Sequence, residues 1–322
     1  MPAGILARYV PVERFMHNLD EDDPARANAL PAGSYRLSVC IVNWNTRDRL
    51  AACLSALREQ ADALGAEVIV VDNASEDGSA EMVRCRFPWV ELIANAQNRY
   101  YAAANNQAIA ASTGRYVLLL NPDVEVHDGA LEAMCRFLDE HEDAAAVACR
   151  LLLPDGSLQA NCRRFPAPLM LLWEATGLAR LFARSRVFGA YRMTHWSYDE
   201  VAEVDQPMAS CLMLRREALG EVGGFDEGFP MFFNDVDLCW RLKRAGWRVY
   251  YSPEATALHH HGASTGLVRR EMLRESHRSL ARFYRKHYRG RIHWFWYALA
   301  MLLIRLGGAL RGLCSTRRRG TA

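Results

Sequence analysis

An α/β fold, a mainly parallel sheet flanked by helices and suited to binding a nucleotide, is the architecture this sequence predicts. Three observations carry the prediction. Strand-like and helix-like segments alternate four times between Arg36 and Leu120. The strands are short, apolar and rich in β-branched residues, as strands buried on both faces are. Polar residues follow the carboxyl ends of three of them, where open α/β sheets bind their ligands.

Taken in order, Arg36–Val42 (RLSVCIV) reads as a buried strand, and Asp48–Glu59 as a helix with Leu50, Leu54 and Leu57 on one face. Glu67–Val71 (EVIVV) is a second strand ending at Asp72 and Asn73, after which SEDGSAEMV begins a helix with Ser75 as its cap. Val90–Ala94 forms a third strand. A helix over Asn105–Ser112 is stopped by Gly114, and Tyr116–Leu120 (YVLLL) is a fourth strand ending at Asn121-Pro122-Asp123. The stretch Asn43-Trp44-Asn45, Asp72 and Asp123 therefore share one sheet edge and can form one site. From Arg163 to Tyr198 aromatics and arginines interleave with few acids. That segment reads as a surface-packed helical insertion or as an acceptor surface. Ala209–Leu214 is a strand, Arg216–Val222 a helix, and Gly223-Gly224-Phe225-Asp226 a turn. A further helix begins at Asn234 or Asp235 and stops at Gly246, before a strand over Trp247–Tyr251.

With 322 residues, 51% hydrophobic and 24% charged, the chain can bury a large core. Its formal net charge of +2 makes no case for nucleic-acid binding. Nine cysteines, an odd number without a CxxC pair and partly inside apolar runs, read as reduced core thiols in a cytoplasmic protein. Residues 1–35 lack the long apolar region of a signal peptide and read as an N-terminal extension. Beyond Arg269 the acids are Glu271 and Glu275, and basic residues dominate. Trp294–Ile304 (WFWYALAMLLI) is too short to span a bilayer, which takes about 20 residues. Tryptophans, aliphatics and arginines together make residues 269–322 a helical tail suited to an anionic membrane surface.

The stretch FFNDVDLCWRL (Phe232–Leu242) sets Asp235 and Asp237 among large apolar side chains, where a carboxylate must be solvated, paired or used. Two residues apart on a helix, the two point to different sides and cannot share one task. Asp235 at a helix start could be a simple cap or a base. Asp123, just past a buried strand, is well placed for a divalent cation, since Mg²⁺ and Mn²⁺ take oxygen ligands from one or two carboxylates plus substrate phosphates. One histidine of His259-His260-His261 could add a nitrogen ligand.

Together these blocks resemble the family 2 inverting glycosyltransferases, and within them the rhamnosyltransferase-like bacterial enzymes. The resemblance rests on SVCIVNWN (38–45), VIVVDNASEDGS (68–79), NRYYAAANN (98–106), YVLLLNPDVEV (116–126), RLLLPDGSLQ (150–159), GGFDEGFPMFFNDVDLCWRL (223–242) and HHHGAST (259–265). It implies a GT-A fold over residues 36–268, with a nucleotide-sugar half at 36–126 and an acceptor and catalytic half at 127–268. It implies a nucleotide-diphosphate sugar donor, dTDP-rhamnose in preference to a UDP-sugar, and a glycan or polyprenyl-diphosphate-linked acceptor at the inner face of the membrane. Asp72 would bind the base, Val42, Asn43 and Trp44 would line its pocket, and Asn98, Asn106 and Asn121 would shape the diphosphate region. Asp123 with His259 or His260 would hold Mg²⁺ or Mn²⁺, and Asp235 would be the catalytic base. Asp237 would be structural.

In that family's pattern Asn121 takes the place of an acid, Asn234 that of a glutamate, and Tyr100 that of a glycine. If the glycine position needs positive φ, a tyrosine there costs about 1–2 kcal/mol. A sugar nucleotidyltransferase would show a glycine-rich loop after the first strand, and VNWNTRD has none. A dinucleotide oxidoreductase fails for want of GxGxxG. An inactive sugar-nucleotide binder, suggested by Tyr100 and Asn121, predicts binding without turnover. Retention of Asp123 and Asp235 argues against it. The oligomeric state is left open.

Overall fold

The structure is a computed structural model that describes residues 35–260 and 269–317. The expected N-terminal extension, apart from Tyr35, lies outside the described residues, as do His261 and the rest of the HHHGAST block.

The amino-terminal half alternates as the sequence predicts: β1 (Leu37–Asn43), α1 (Arg47–Leu64), β2 (Glu67–Asp72), α2 (Ser79–Arg86), β3 (Glu91–Ala94), α3 (Tyr100–Ala111) and β4 (Tyr116–Leu120). The chain continues through β5 (Val124–Val126), α4 (Ala130–Glu140), β6 (Ala144–Leu152), β7 (Leu158–Gln159) and β8 (Cys162–Arg163). The arginine- and aromatic-rich segment holds the short helices α5 (Pro168–Thr176) and α6 (Leu178–Leu181). After them come β9 (Ala202–Glu203), β10 (Gln206–Pro207), β11 (Cys211–Arg215), α7 (Arg216–Val222), α8 (Asn234–Arg244) and β12 (Arg248–His259). Two long helices, α9 (Arg269–His287) and α10 (Trp294–Arg317), complete it.

One large sheet runs in the order β3-β2-β1-β4-β11-β6-β12-β5. Strands β3, β2, β1 and β4 are parallel, whereas β11 is antiparallel to both β4 and β6. Two reversals restore direction, so β6 and β12 run with β1, and β12 pairs parallel to β6. The carboxyl ends of β1, β2, β4 and β12 therefore lie along one edge, joined there by the start of β11. Helices α1 and α4 cover one face of the sheet over Leu37, Leu54, Leu118 and Leu138, all fully buried. On the opposite face α3, α7 and α8 pack over Ile69, Leu119, Leu214 and Leu238. A third cluster joins the C-terminal helices to the domain through Phe229, Val236, Phe283, Tyr284, Tyr288, Ala300 and Ile304. Seven of the eight described cysteines are buried, most of them within these cores.

The local structure corrects four readings. Helix α3 starts five residues early, at Tyr100, because its alanine run is already a good helix former. Ser75 does not cap α2, which starts at Ser79; its hydroxyl instead accepts from the Asn45 N–H and Asn43 Nδ2. Strand β12 continues past Pro253 because a register shift between Ser252 and Thr256 bulges the proline out of the ladder. Asp235 is not the N-cap of α8: that position is Phe233, held at φ +64°.

Candidate active site

The sheet edge delivers the polar groups to one place. Asp123 follows β4 by three residues, and Val124 beside it pairs with His259 at the end of β12. The His260 N–H donates to the Asp123 carbonyl at 2.9 Å, which fixes the two chain ends against each other. Because β11 runs the other way, Met208, Ala209 and Ser210 arrive at the same edge just before it starts. The Asn121 N–H donates to the Ser210 carbonyl at 2.9 Å.

These elements enclose an open cavity of about 280 Å³. Val42, Trp44, Asn98, Asn121, Asp123, Asp235 and His259 line it, as the sequence expectations place them. Tyr100 lines it too, at φ +62° and 56% exposed. The glycine position it occupies does require a left-handed backbone. The Asn98 Oδ1 accepts from the Tyr100 N–H at 2.8 Å, and the Asn73 Nδ2 donates to the Tyr100 carbonyl at 3.2 Å, so the turn is held from both sides.

At one end of the cavity His259 is 3.3 Å from Asp123, Nε2 to Oδ1. Its other ring nitrogen, Nδ1, is 2.7 Å from Gln159 Oε1. With Nδ1–H donating to that amide oxygen, the Nε2 lone pair and the carboxylate oxygen face each other. Two acceptors at this distance need a proton or a cation between them. This donor set, one carboxylate oxygen and one imidazole nitrogen open to a cavity, fits a Mg²⁺ or Mn²⁺ ion that takes its remaining ligands from phosphate and water. Among the described residues no group of three potential ligands forms a closed metal cage.

Asp235 occupies the first turn of α8, half-buried, with Oδ1 accepting from the Val236 N–H at 2.8 Å. Burial pushes its carboxyl above the usual carboxylate range, partly offset by backbone N–H groups of Val236 and Ala209. A carboxylate with raised pKa on a cavity wall is a competent proton acceptor. Asp237 faces the other way and is completely buried, 2.7 Å from His287 Nε2, 2.6 Å from Lys286 Nζ and 2.8 Å from Arg241 Nε. The structural role expected of it is the one it has.

Four expected residues stand off the cavity. Asp72 accepts from Asn43 Nδ2 at 2.9 Å and from the Ser75 N–H at 3.0 Å, which turns both carboxylate oxygens into the β1 and β2 termini. Asn43 accepts in turn from the Thr46 hydroxyl at 2.6 Å. These two brace the turns that carry Trp44 and Asn73. Asn106 clasps Phe225 on both backbone groups, at 2.8 and 2.9 Å, and so anchors the loop leading to α8. His260 turns from the Asp123 side chain to Glu125, 2.6 Å away, leaving His259 as the imidazole beside Asp123. Asn73 and Gln159 reach the site without having been singled out. The signals were present, since Asn73 directly follows Asp72 and Gln159 closes the RLLLPDGSLQ block.

Comparison with known proteins bears on this geometry. The profile of the family described as Glycosyl transferase family 2 matches residues 38–195. Over 243 residues, 72% of this chain and 77% of the relative, the chain is 33% identical to an N-acetylglucosaminyl-diphospho-decaprenol L-rhamnosyltransferase of Mycobacterium tuberculosis. The chain belongs to glycosyltransferase family 2. This family 2 glycosyltransferase is also 28% identical to the rhamnosyltransferase WbbL of Escherichia coli K12, over 45% of the chain and 52% of that protein. Its fold is the GT-A fold. The mannosyltransferase PcManGT from Pyrobaculum calidifontis, solved with GDP-Man and Mn²⁺, matches with a TM-score of 0.54 at 18% identity, over 97% of this chain and 82% of that one. GalNAc-T7, solved with UDP, GalNAc and Mn²⁺, matches with a TM-score of 0.55 at 12% identity, over 78% and 48%.

Proposed function

We propose that this family 2 enzyme moves L-rhamnose from dTDP-rhamnose, in preference to a sugar from UDP, with inversion onto a glycan carried by a polyprenyl diphosphate. The observation that carries the reading is the shared cavity: a carboxylate of raised pKa, Asp235, in the same space as the Asp123–His259 pair. The named relative acting on a diphospho-decaprenol substrate supports the donor and acceptor classes.

In this mechanism Asp235 takes the proton from the acceptor hydroxyl as that oxygen attacks the anomeric carbon from the face opposite the nucleotide. The bond from that carbon to the diphosphate oxygen breaks, and the diphosphate leaves with the electron pair. A divalent ion held by Asp123 and His259 would supply the positive charge that stabilises the leaving group. Gln159 fixes the tautomer and ring orientation of His259. Asn98 and Asn73 hold the Tyr100 turn on the donor side, and Val42 and Trp44 supply apolar surface for the nucleotide. One displacement needs one base, unlike the carboxylate pair of a glycosidase. The segment 163–198 and Met208–Ser210 form the acceptor side, and the basic tail places the enzyme against the cytoplasmic leaflet.

The test is donor turnover. Purified protein with Mn²⁺ or Mg²⁺ is given dTDP-rhamnose, UDP-sugars and membrane extract as acceptor, across a pH series. The expected result is metal-dependent release of dTDP, with an acid limb above the ordinary carboxylate range. Asp235→Asn should lose about 10²–10⁴ in rate while retaining donor binding. Metal-dependent nucleotide binding with no turnover by the unaltered chain would instead identify an inactive binder and implicate Tyr100.

A further inference from the structure

A second cavity of about 360 Å³ opens on another part of the molecule, between the C-terminal ends of α8 and α9. It shares no lining residue with the donor cavity. Its walls are Trp240, Arg241, Arg244, Lys286, His287 and Arg291, with Val222 as the remaining apolar side chain and no carboxylate. Basic residues at helix C-termini commonly serve the helix dipole and nothing more. Three of these do have inward partners. Arg241 donates to the carbonyls of Val222, Gly223 and Gly224 and pairs with Asp237, while Lys286 and His287 hold Asp237 as well.

The others are different. Neither the Arg244 nor the Arg291 guanidinium meets an acceptor among the described residues, and both are exposed. Two acids touch this wall from outside the cavity: Asp237, completely buried and held by Arg241, Lys286 and His287, and Asp226, 2.7 Å from Lys286. Trp240 carries a buried indole N–H with no acceptor. The cavity thus presents two guanidiniums that meet no acceptor among the described residues, beside Arg241, Lys286 and His287, with no carboxylate in its wall. Planar guanidinium forks match phosphate oxygens in pairs. Three residues beyond Arg291, Trp294, Phe295 and Trp296 are 73%, 48% and 36% exposed at the start of α10. Tryptophans beside arginines are what a headgroup-level contact uses.

We propose that this cavity is a phosphate-binding site, separate from the donor site, that takes the phosphate of an anionic lipid headgroup at the membrane surface. The inference is independent of the donor assignment, because nucleotide binding reads the other cavity.

The test uses the full chain in metal-free buffer with two probes: vesicles of phosphatidylglycerol in phosphatidylcholine, read by cosedimentation, and inorganic phosphate, read by calorimetry. Arg244→Ala and Arg291→Ala remove side chains bonded to nothing described, so folding should be unaffected. Arg84→Ala, an exposed charge on α2, is the control. Each cavity variant should weaken vesicle binding about fivefold and the double variant about 25-fold, with the control unchanged. Vesicle binding with this dependence and no response to phosphate supports the headgroup as the source. Phosphate binding lost in the same variants supports the site with a soluble source. The proposal is overturned if the cavity variants bind both probes as the unaltered chain does, or if Arg84→Ala loses as much as they do.

Discussion

At the residue scale the site depends on a few backbone positions as much as on charged groups. Tyr100 is the clearest case, a bulky residue at φ +62° on the cavity wall. Tyr100→Gly should relieve about 1–2 kcal/mol of left-handed strain and lose about 0.4–1 kcal/mol to the freer unfolded chain. A small rise in melting temperature is expected. A fall would mean that the ring's contacts outweigh the strain. Asp123, Asp235 and His259 were legible in the sequence, because each sits in a dense local pattern at the end of an element. Asn73 and Gln159 were not. Their roles come from pairings across the fold, Asn73 with Tyr100 and Gln159 with His259, that no local spacing records. Asp72 also stands at a strand end, but the pairing of its oxygens with Asn43 and the Ser75 N–H across β1 and β2 is not recorded by any local spacing.

At the element scale α8 is the member that joins the cavity to the C-terminal helices. Its first turn carries Asp235 toward the cavity, and two residues later Asp237 ties the opposite side to α9. Burial alone would raise the Asp237 carboxyl, but hydrogen bonds from His287 and Lys286 and the Arg241 charge bring it down to about 2. A depressed folded pKa contributes stability that is complete above the ordinary carboxylate value of about 3.9 and disappears as pH falls through the folded value. Denaturant midpoints should therefore decline between about pH 4 and pH 2. Asp237→Ala should remove that contribution to the acid dependence and cost about 3 kcal/mol at neutral pH, since Arg241, Lys286 and His287 lose the buried carboxylate they share. An unchanged midpoint at neutral pH would show that the carbonyls around Arg241, Asp226 beside Lys286, and water satisfy these groups without it. The sequence identified α8 and its limits, through the apolar run and Gly246. It missed the true start of α3 and the full length of β12, because one hinges on a left-handed residue and the other on a bulge.

For the whole molecule, the sequence suggested a membrane-surface tail, and the structure gives α9 and α10 a packing role. No helix among the described residues is long and apolar enough to cross a membrane. The inner side of these helices completes a core: Phe283, Tyr284 and Ala300 are fully buried, and Ile304 nearly so, against Phe229 and Val236. Each large side chain buried this way contributes about 1.5–3 kcal/mol. A chain ended at residue 268 should consequently aggregate or melt without cooperativity, rather than survive as a trimmed soluble enzyme. A sharp, reversible melt of that shortened chain would refute this. Sequence pattern could not reveal the packing, because the same apolar face suits a lipid surface and a protein core.

The bond from His287 to Asp237 spans fifty positions of chain. Its consequence is one of timing during synthesis. When the ribosome has made the sheet and α8, the cavity-facing side of that helix is in place but its rear carboxylate, Asp237, still lacks Lys286 and His287. Translation must continue through α9 before the helix is locked, and through α10 before Phe229 and Val236 are covered. The nascent chain can form the sheet edge that carries the cavity early. Its C-terminal core closes only once α9 and α10 have been made and packed against Phe229 and Val236.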